Sequence, residues 1–209
     1  MKKRKKSASR GRSRGLLVVI SGPSGVGKST VVRKLLKLCP ECVLSTSATT
    51  RPKRPAEEHG KDYFFLSEEE FFHRQKQEEF LEWAKVHGYF YGTPRANVEN
   101  ILGKGGTLVM EVDVQGAASV KELSAAGKIR IGSHVFIFLI PPSVDILAFR
   151  LKKRKTEKAD EMNYRLRAAI AELQVMEKYD YIVVNDRVES AAEKIKAIIN
   201  VERERMVLN

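Results

Sequence analysis

Short apolar runs recur along the chain, separated by stretches whose apolar residues fall at helical spacing. Residues 16–20 (LLVVI) are continuous and rich in β-branched side chains, with Gly15 before them and SGPSG after. That is the pattern of a strand buried on both faces. VVRKLLKL (31–38) is helical in period, and Pro40 closes it. A strand is expected over 43–46. TLVMEVDV (107–114) reads as a second buried strand ending in acids, followed by a helix over 115–126. HVFIFLI (134–140) is a third, stopped by Pro141 and Pro142, after which Ser143 caps a helix to about Lys152. A long helix over 158–178, a strand over 181–185 and a last helix over 189–205 complete the pattern, with no internal repeat. Buried strands alternating with helices imply an α/β fold around a parallel sheet.

Residues 49–95 interrupt the alternation. Arg51, Lys53 and Arg54 lie within four positions, and Pro52 and Pro55 exclude a helix there, so this is a stiff cationic loop. Glu57, Gly60 and Asp62 suit a turn that brings the chain back to Tyr63. Ser67 with Glu70 has capping-box form and should start a helix to about Gln77. FLEWAKVHGYFYG (80–92) suggests extended chain with a turn, and Thr93-Pro94 should open a helix to about Leu102. The whole stretch reads as a lobe inserted into the α/β core.

Composition narrows this further. The 209 residues are 43% hydrophobic, enough for one well-buried core. No apolar run reaches the ~18 residues that a membrane span needs, and no apolar leader with a small-residue cleavage site is visible, so the cytoplasm is the expected location. Net charge is +12, but eight Lys/Arg fall in residues 1–15 with no acid; subtracting these eight leaves +4. The tail KKRKKSASRGRSRG reads as a disordered, solvated extension, with contact to nucleic acid the weaker alternative. Cys39 and Cys42 form a lone CxxC with no second pair and no nearby His, so they read as incidental thiols.

The chemistry begins directly after the first strand. Gly22, Pro23, Ser24, Gly25, Val26, Gly27, Lys28 and Ser29 fit G-x-x-x-x-G-K-[ST], with a strand before and a helix after. Glycines let backbone N–H groups turn around a phosphate, and the helix N-terminus faces the same anion. Lys28 adds a cation, Thr30 extends the site, and Ser29 offers a hydroxyl to Mg²⁺. This motif alone leaves motor, switch and kinase open. Glu111 and Asp113, ending the second strand, suit a Walker B role in metal or water binding, with Asp113 reaching the ion through a water. A kinase with a phosphorylated acceptor needs a second anion site. Arg51 and Arg54 can fork onto phosphate oxygens, and the Tyr63 hydroxyl can donate to the same group.

TTRPKRPAEEHGKDYFFL (49–66) resembles the guanylate kinase signature: T-T-R, a basic residue three further on, an acid, a Gly, then Y-x-F. The resemblance extends over about 16–205, through FLEWAKVHGYFYGTP, EVDVQGA and IPPSVDIL. It implies a P-loop nucleoside monophosphate kinase fold. The parallel-sheet core would comprise about 16–48, 96–142 and 176–209, with a GMP-binding lobe at 49–95 and a helical lid at 143–175. It implies Arg51, Arg54, Tyr63 and Tyr91 on the GMP phosphate, Ser47, Glu82 and Thr93 at the base, and Glu111 at the base edge or ribose. Taken alone, Glu82 would be a solvated acid and Tyr91 a core aromatic; the signature assigns them to the site.

The resemblance also places lid arginines at Arg150, Arg154 and Arg165, closing over ATP, and puts Asn185 near the adenine pocket. One departure is Lys155, where the family usually has Gly after the second lid arginine. The implied reaction is ATP + GMP → ADP + GDP with Mg²⁺, needing no general base, since the GMP phosphate oxygen is already a nucleophile. Use of dGMP and the choice between monomer and homo-oligomer stay open. The alternative is a non-catalytic guanylate-kinase-like scaffold domain. Such domains typically lose the phosphate loop, which is intact here.

Overall fold

β1 (Leu16–Ser21) is buried along its whole length. The structure of the protein, a computed structural model, describes residues 15–86, 88–129, 132–152 and 159–208. β1 is the middle strand of a five-stranded sheet, ordered β2 (Cys42–Leu44), β7 (Thr107–Glu111), β1, β8 (Ser133–Ile140), β9 (Tyr181–Val184). Every neighbouring pair is parallel. All five carboxyl ends therefore emerge at one edge, where open α/β sheets bind their ligands.

Strand alternation sorts the core into two layers. Leu16, Val18 and Ile20 pack with Val31, Val32 and Leu35 of α1 (Lys28–Leu38) and Ala191, Ile195 and Ile199 of α7 (Val188–Leu208). Leu17 and Val19 face the other way, toward Val98 and Leu102 of α3 (Arg95–Gly103) and Ala117 and Val120 of α4 (Val114–Ala125). Helices on both faces explain why β1 reads as an unbroken apolar run.

A second, four-stranded sheet is built from β3 (Ala48–Thr49), β4 (Phe64–Phe65), β5 (Phe80–Val86) and β6 (Tyr89–Pro94), in the order β4-β3-β6-β5. β5 and β6 form an antiparallel hairpin. α2 (Glu68–Lys76) covers it, started by the expected box: Glu70 N donates to Ser67 Oγ and Ser67 N to Glu70 Oε2. Phe71 of α2 stacks on Phe80 with ring centres 4.6 Å apart, giving this sheet its own small aromatic core. α5 (Val144–Lys152) and α6 (Ala159–Leu173) pack through Leu147, Leu151, Leu166 and Ala169, and a 3₁₀ turn at Met176–Lys178 leads into β9.

Several boundaries differ from the sequence reading, each for a local reason. The strand expected to run to residue 114 stops at Glu111, because Asp113 caps α4 by accepting from Gly116 N at 2.8 Å. Thr93 and Pro94 finish β6, and the helix begins at Arg95. The single helix over 158–178 is α6 and a separate 3₁₀ turn. α1 starts at Lys28, a turn earlier than its apolar period shows. Gly15, placed by composition in the tail, belongs to the sheet's edge, with its carbonyl accepting from Ser133 N at 2.8 Å.

Candidate active site

The loop from Gly22 to Gly27 carries the chain from β1 into α1. Gly27 caps α1 in the left-handed region (φ 98°), and a Cβ there would stand 2.7 Å from Asn185 Nδ2, so two constraints require glycine. Lys28 Nζ donates to Gly22 O (2.6 Å) and Pro23 O (3.2 Å), holding its ammonium over the loop. Val26 O accepts from Arg150 Nη1 (3.1 Å) and Asn185 Nδ2 (2.7 Å), and Arg150 Nη2 donates to Asn185 O (3.0 Å). Ser24 N donates to Glu172 Oε2 at 3.1 Å, and Gly25 lies against Leu147 and Leu151. The loop is thus held by α5, α6 and the end of β9. Arg150, expected over ATP, here braces the loop backbone. Thr30 lies exposed in the first turn of α1. Arg154 and Lys155 lie outside the described residues, as does the side chain of Arg165.

Ser29, on the first turn of α1, donates from Oγ to Glu111 Oε1 at 2.5 Å. Glu111 is the last residue of β7 and pairs with Ile20 of the neighbouring β1, which sets it beside the loop's origin. A hydroxyl beside a carboxylate is a hard oxygen donor set of the kind Mg²⁺ takes. Asp113 lies two residues on, with Oδ1 engaged by Gly116 N.

The cationic loop forms a second station. Arg51 Nη2 donates to Glu57 Oε1 at 2.7 Å and Nη1 to Pro52 O at 2.7 Å, while Glu57 Oε2 accepts from Arg54 N at 2.8 Å. Burial pulls the Arg51 pKa down, but the Glu57 hydrogen bond and charge outweigh it and leave it raised; the same bond holds the Glu57 carboxyl below its ordinary range. The Arg51 guanidinium sits 5.5 Å from the centre of the Tyr63 ring, which meets Tyr91 edge-on at 6.1 Å. Burial, with a further push from the charge of Glu111, raises the Tyr63 phenol to about 12, so it stays a hydrogen-bond donor. The Arg54 side chain is exposed at the rim.

Glu82 and Thr93 form the third station. They are opposite one another on β5 and β6, and Thr93 Oγ1 donates to Glu82 Oε1 at 2.6 Å. Glu82 is only 7% exposed and Thr93 0%. Burial lifts the Glu82 pKa to about 7; the Thr93 bond opposes this and the charge of Asp113 adds to it. Ser47 borders the same sheet, its carbonyl accepting from Phe64 N at 2.9 Å.

Three participants escaped the sequence reading. Glu172 is 148 residues from the Ser24 amide it meets, and no spacing rule links them. Glu57 read as a turn residue; its two bonds to Arg51 and Arg54 N appear only when the loop is folded. Gly116 read as part of a helix, although a side chain there would run into Glu82. Away from these stations, Cys39 and Cys42 are free and buried, and burial first, then the neighbouring Cys39, pushes the Cys42 thiol to about 12. Such thiols are poor ligands and nucleophiles. Among the described residues no helix is long and apolar enough to cross a membrane.

A protein-family model described as "Guanylate kinase" matches residues 14–202. The guanylate kinase of Thermotoga maritima is 47% identical over 196 residues, covering 94% of this chain and 91% of that one. That of Caldanaerobacter subterraneus subsp. tengcongensis is 47% identical over 198 residues, covering 95% and 93%. The crystal structure of guanylate kinase from Anaplasma phagocytophilum superposes with a TM-score of 0.74 at 36% identity, covering 91% of this chain and 87% of that chain.

Proposed function

The chain belongs to the guanylate kinase family and phosphorylates GMP from ATP on a P-loop nucleoside monophosphate kinase fold, and we propose that three stations divide that work, one at the carboxyl edge of the parallel sheet and two on the second sheet. The loop Gly22–Ser29, with Thr30 and Lys28, takes the ATP phosphates. Arg51, Arg54, Tyr63 and Tyr91 take the GMP phosphate. Glu82, Thr93 and Ser47 read the guanine. The observation that carries this assignment is the Ser29–Glu111 contact, which sets a hydroxyl and a carboxylate together at the mouth of the phosphate loop. In the proposed arrangement the phosphate loop holds the donor and the Arg51 loop the acceptor on either side of the transferred phosphorus, as an in-line transfer needs.

An oxygen of the GMP phosphate attacks the γ-phosphorus of ATP, and the bond from that phosphorus to the bridging oxygen breaks. The nucleophile is already an anion, so no protein base is assigned. Lys28 neutralises charge on the donor, and Arg51 and Arg54 orient the acceptor through paired N–H donors. When bound, Mg²⁺ would neutralise donor phosphate charge; Ser29 would hold it directly, with Glu111 alongside and Asp113 through a water. Arg150, Arg154 and Arg165 belong to the proposed lid over 143–175, whose closure keeps water from competing as acceptor. Asn185 fixes the loop at Val26 beside the proposed adenine pocket. The proposal assigns the core to 16–48, 96–142 and 176–209 and the lobe to 49–95, a division that falls within β3 (Ala48–Thr49). The cytoplasm, which supplies both nucleotides, is the proposed location. Residues 1–14 take no part in transfer.

Incubation with γ-labelled ATP and GMP should move the label into GDP and leave ADP unlabelled. Label released as inorganic phosphate at the same rate with and without GMP would contradict the reading.

A further inference from the structure

Gly116 occupies the first turn of α4, and its φ is not in the left-handed region. The backbone therefore does not demand glycine, and inside a helix glycine destabilises relative to alanine. The cause lies across the interface with β5. A Cβ built on Gly116 would stand 2.8 Å from Glu82 Oε2, 3.2 Å from Asp113 Oδ1 and 3.3 Å from Val112 Cβ. The first distance is below any ordinary contact; the other two are tight.

Glu82 cannot easily step aside. Its Oε1 is tied to Thr93 Oγ1 at 2.6 Å, the residue is 7% exposed, and Thr93 is fully enclosed. A methyl group at 116 leaves the carboxylate two responses: to rotate about Oε1, or to abandon Thr93. Asp113 offers no relief, because its Oδ1 accepts from Gly116 N and faces the same gap. We propose that Gly116 is a positioning residue for base choice, its bare Cα leaving the space in which Glu82 Oε2 stands at the angle that accepts from guanine. The inference rests on the assignment of Glu82 to the base.

The mechanism is indirect. Guanine offers two donors on one edge, N1–H and the exocyclic amine, and a carboxylate receives both only when its plane lies along that edge. Turning the plane loses one of the two bonds while keeping the charge. Loss of one hydrogen bond to a charged group corresponds to about 10- to 150-fold in affinity. The ATP station is separate and should not respond.

The test is a set of variants in the full chain, read by GMP and ATP KM and by thermal unfolding. Gly116→Ala should raise the GMP KM at least tenfold and leave the ATP KM within about twofold, with a cooperative melting transition showing that the variant is folded although the added methyl lowers its midpoint. Glu82→Asp withdraws the carboxylate by one methylene. Adding Gly116→Ala to it should cost little further, because the clash is gone. A wild-type GMP KM in folded Gly116→Ala, beside a raised KM in Glu82→Gln, overturns the role of Gly116 and leaves the Glu82 assignment standing. An unchanged GMP KM in Glu82→Gln overturns both. If Gly116→Ala does not fold, the double variant with Glu82→Asp must fold; failure of both means the glycine serves packing alone and overturns the proposal.

Discussion

Thr93 and Glu82 face each other across the β5–β6 hairpin, with 2.6 Å between hydroxyl and carboxylate and almost no solvent on either. A buried acid facing only the neutral donors of Thr93 is costly to ionise, and burial accordingly raises Glu82 to about 7. The folded protein thus holds a proton that the unfolded chain releases in the ordinary carboxylate range. Between that range and about pH 7 the folded state binds more protons, so stability falls as pH rises through the window. Glu82→Gln should remove this penalty. Its melting temperature relative to wild type should be higher at pH 8 than at pH 5; a difference independent of pH would contradict the burial argument.

The same ionisation should govern acceptor use. GMP needs the charged form, so wild-type kcat/KM for GMP should fall as pH drops below about 7. The second ionisation of a phosphate monoester, near pH ~6, adds a fall common to every variant. The wild-type profile should therefore be steeper than that of Glu82→Gln between pH 8 and pH 6. Parallel profiles would show that Glu82 does not titrate in acceptor binding.

Tyr63→Phe should raise the GMP KM about 10- to 150-fold, the worth of one hydrogen bond to a charged group, and leave the ATP KM unchanged. The ring keeps its place beside Arg51 and Tyr91, so the fold should be unaffected. Equal changes in both constants would make Tyr63 a structural residue.

Lys28→Ala should reduce transfer about 10²- to 10³-fold, as loss of one charge-stabilising donor does. Its two bonds to Gly22 O and Pro23 O are partly exposed, so the melting temperature should drop by only about 2–4 °C. A folded variant with wild-type kcat would remove Lys28 from the chemistry.

Removal of residues 1–14 should leave kcat at saturating nucleotides unchanged. The cut spares Gly15, whose carbonyl holds Ser133 at the sheet's edge. A large drop in a folded truncation would bring the tail into the site.

What the sequence revealed depended on range. The unbroken apolar run of β1, the phosphate-loop motif after it and the capping box at Ser67 are local signals, and the structure contains all three. The start of α1 at Lys28 was hidden because its first turn is polar and is set by the left-handed Gly27 rather than by apolar period. Asp113 looked like the end of a strand because V-D-V alternates; its capping bond to Gly116 shows only in three dimensions. Cross-strand neighbours such as Glu82 and Thr93, and distant pairs such as Ser24 and Glu172, carry no spacing signature. The signature resemblance pointed to the first pair, and nothing in the sequence pointed to the second.

The most direct measurement is ADP formation by the wild-type protein with ATP as donor and GMP, AMP, CMP or UMP as acceptor at equal concentration. AMP would meet Glu82 with the N1 lone pair and no second amine, a mismatch that a site built to hydrogen-bond its substrate rejects by about 10⁴-fold or more. The account predicts rapid ADP formation with GMP and a kcat/KM for AMP lower by that order, with the pyrimidine nucleotides no better. Comparable turnover with AMP and GMP would contradict it.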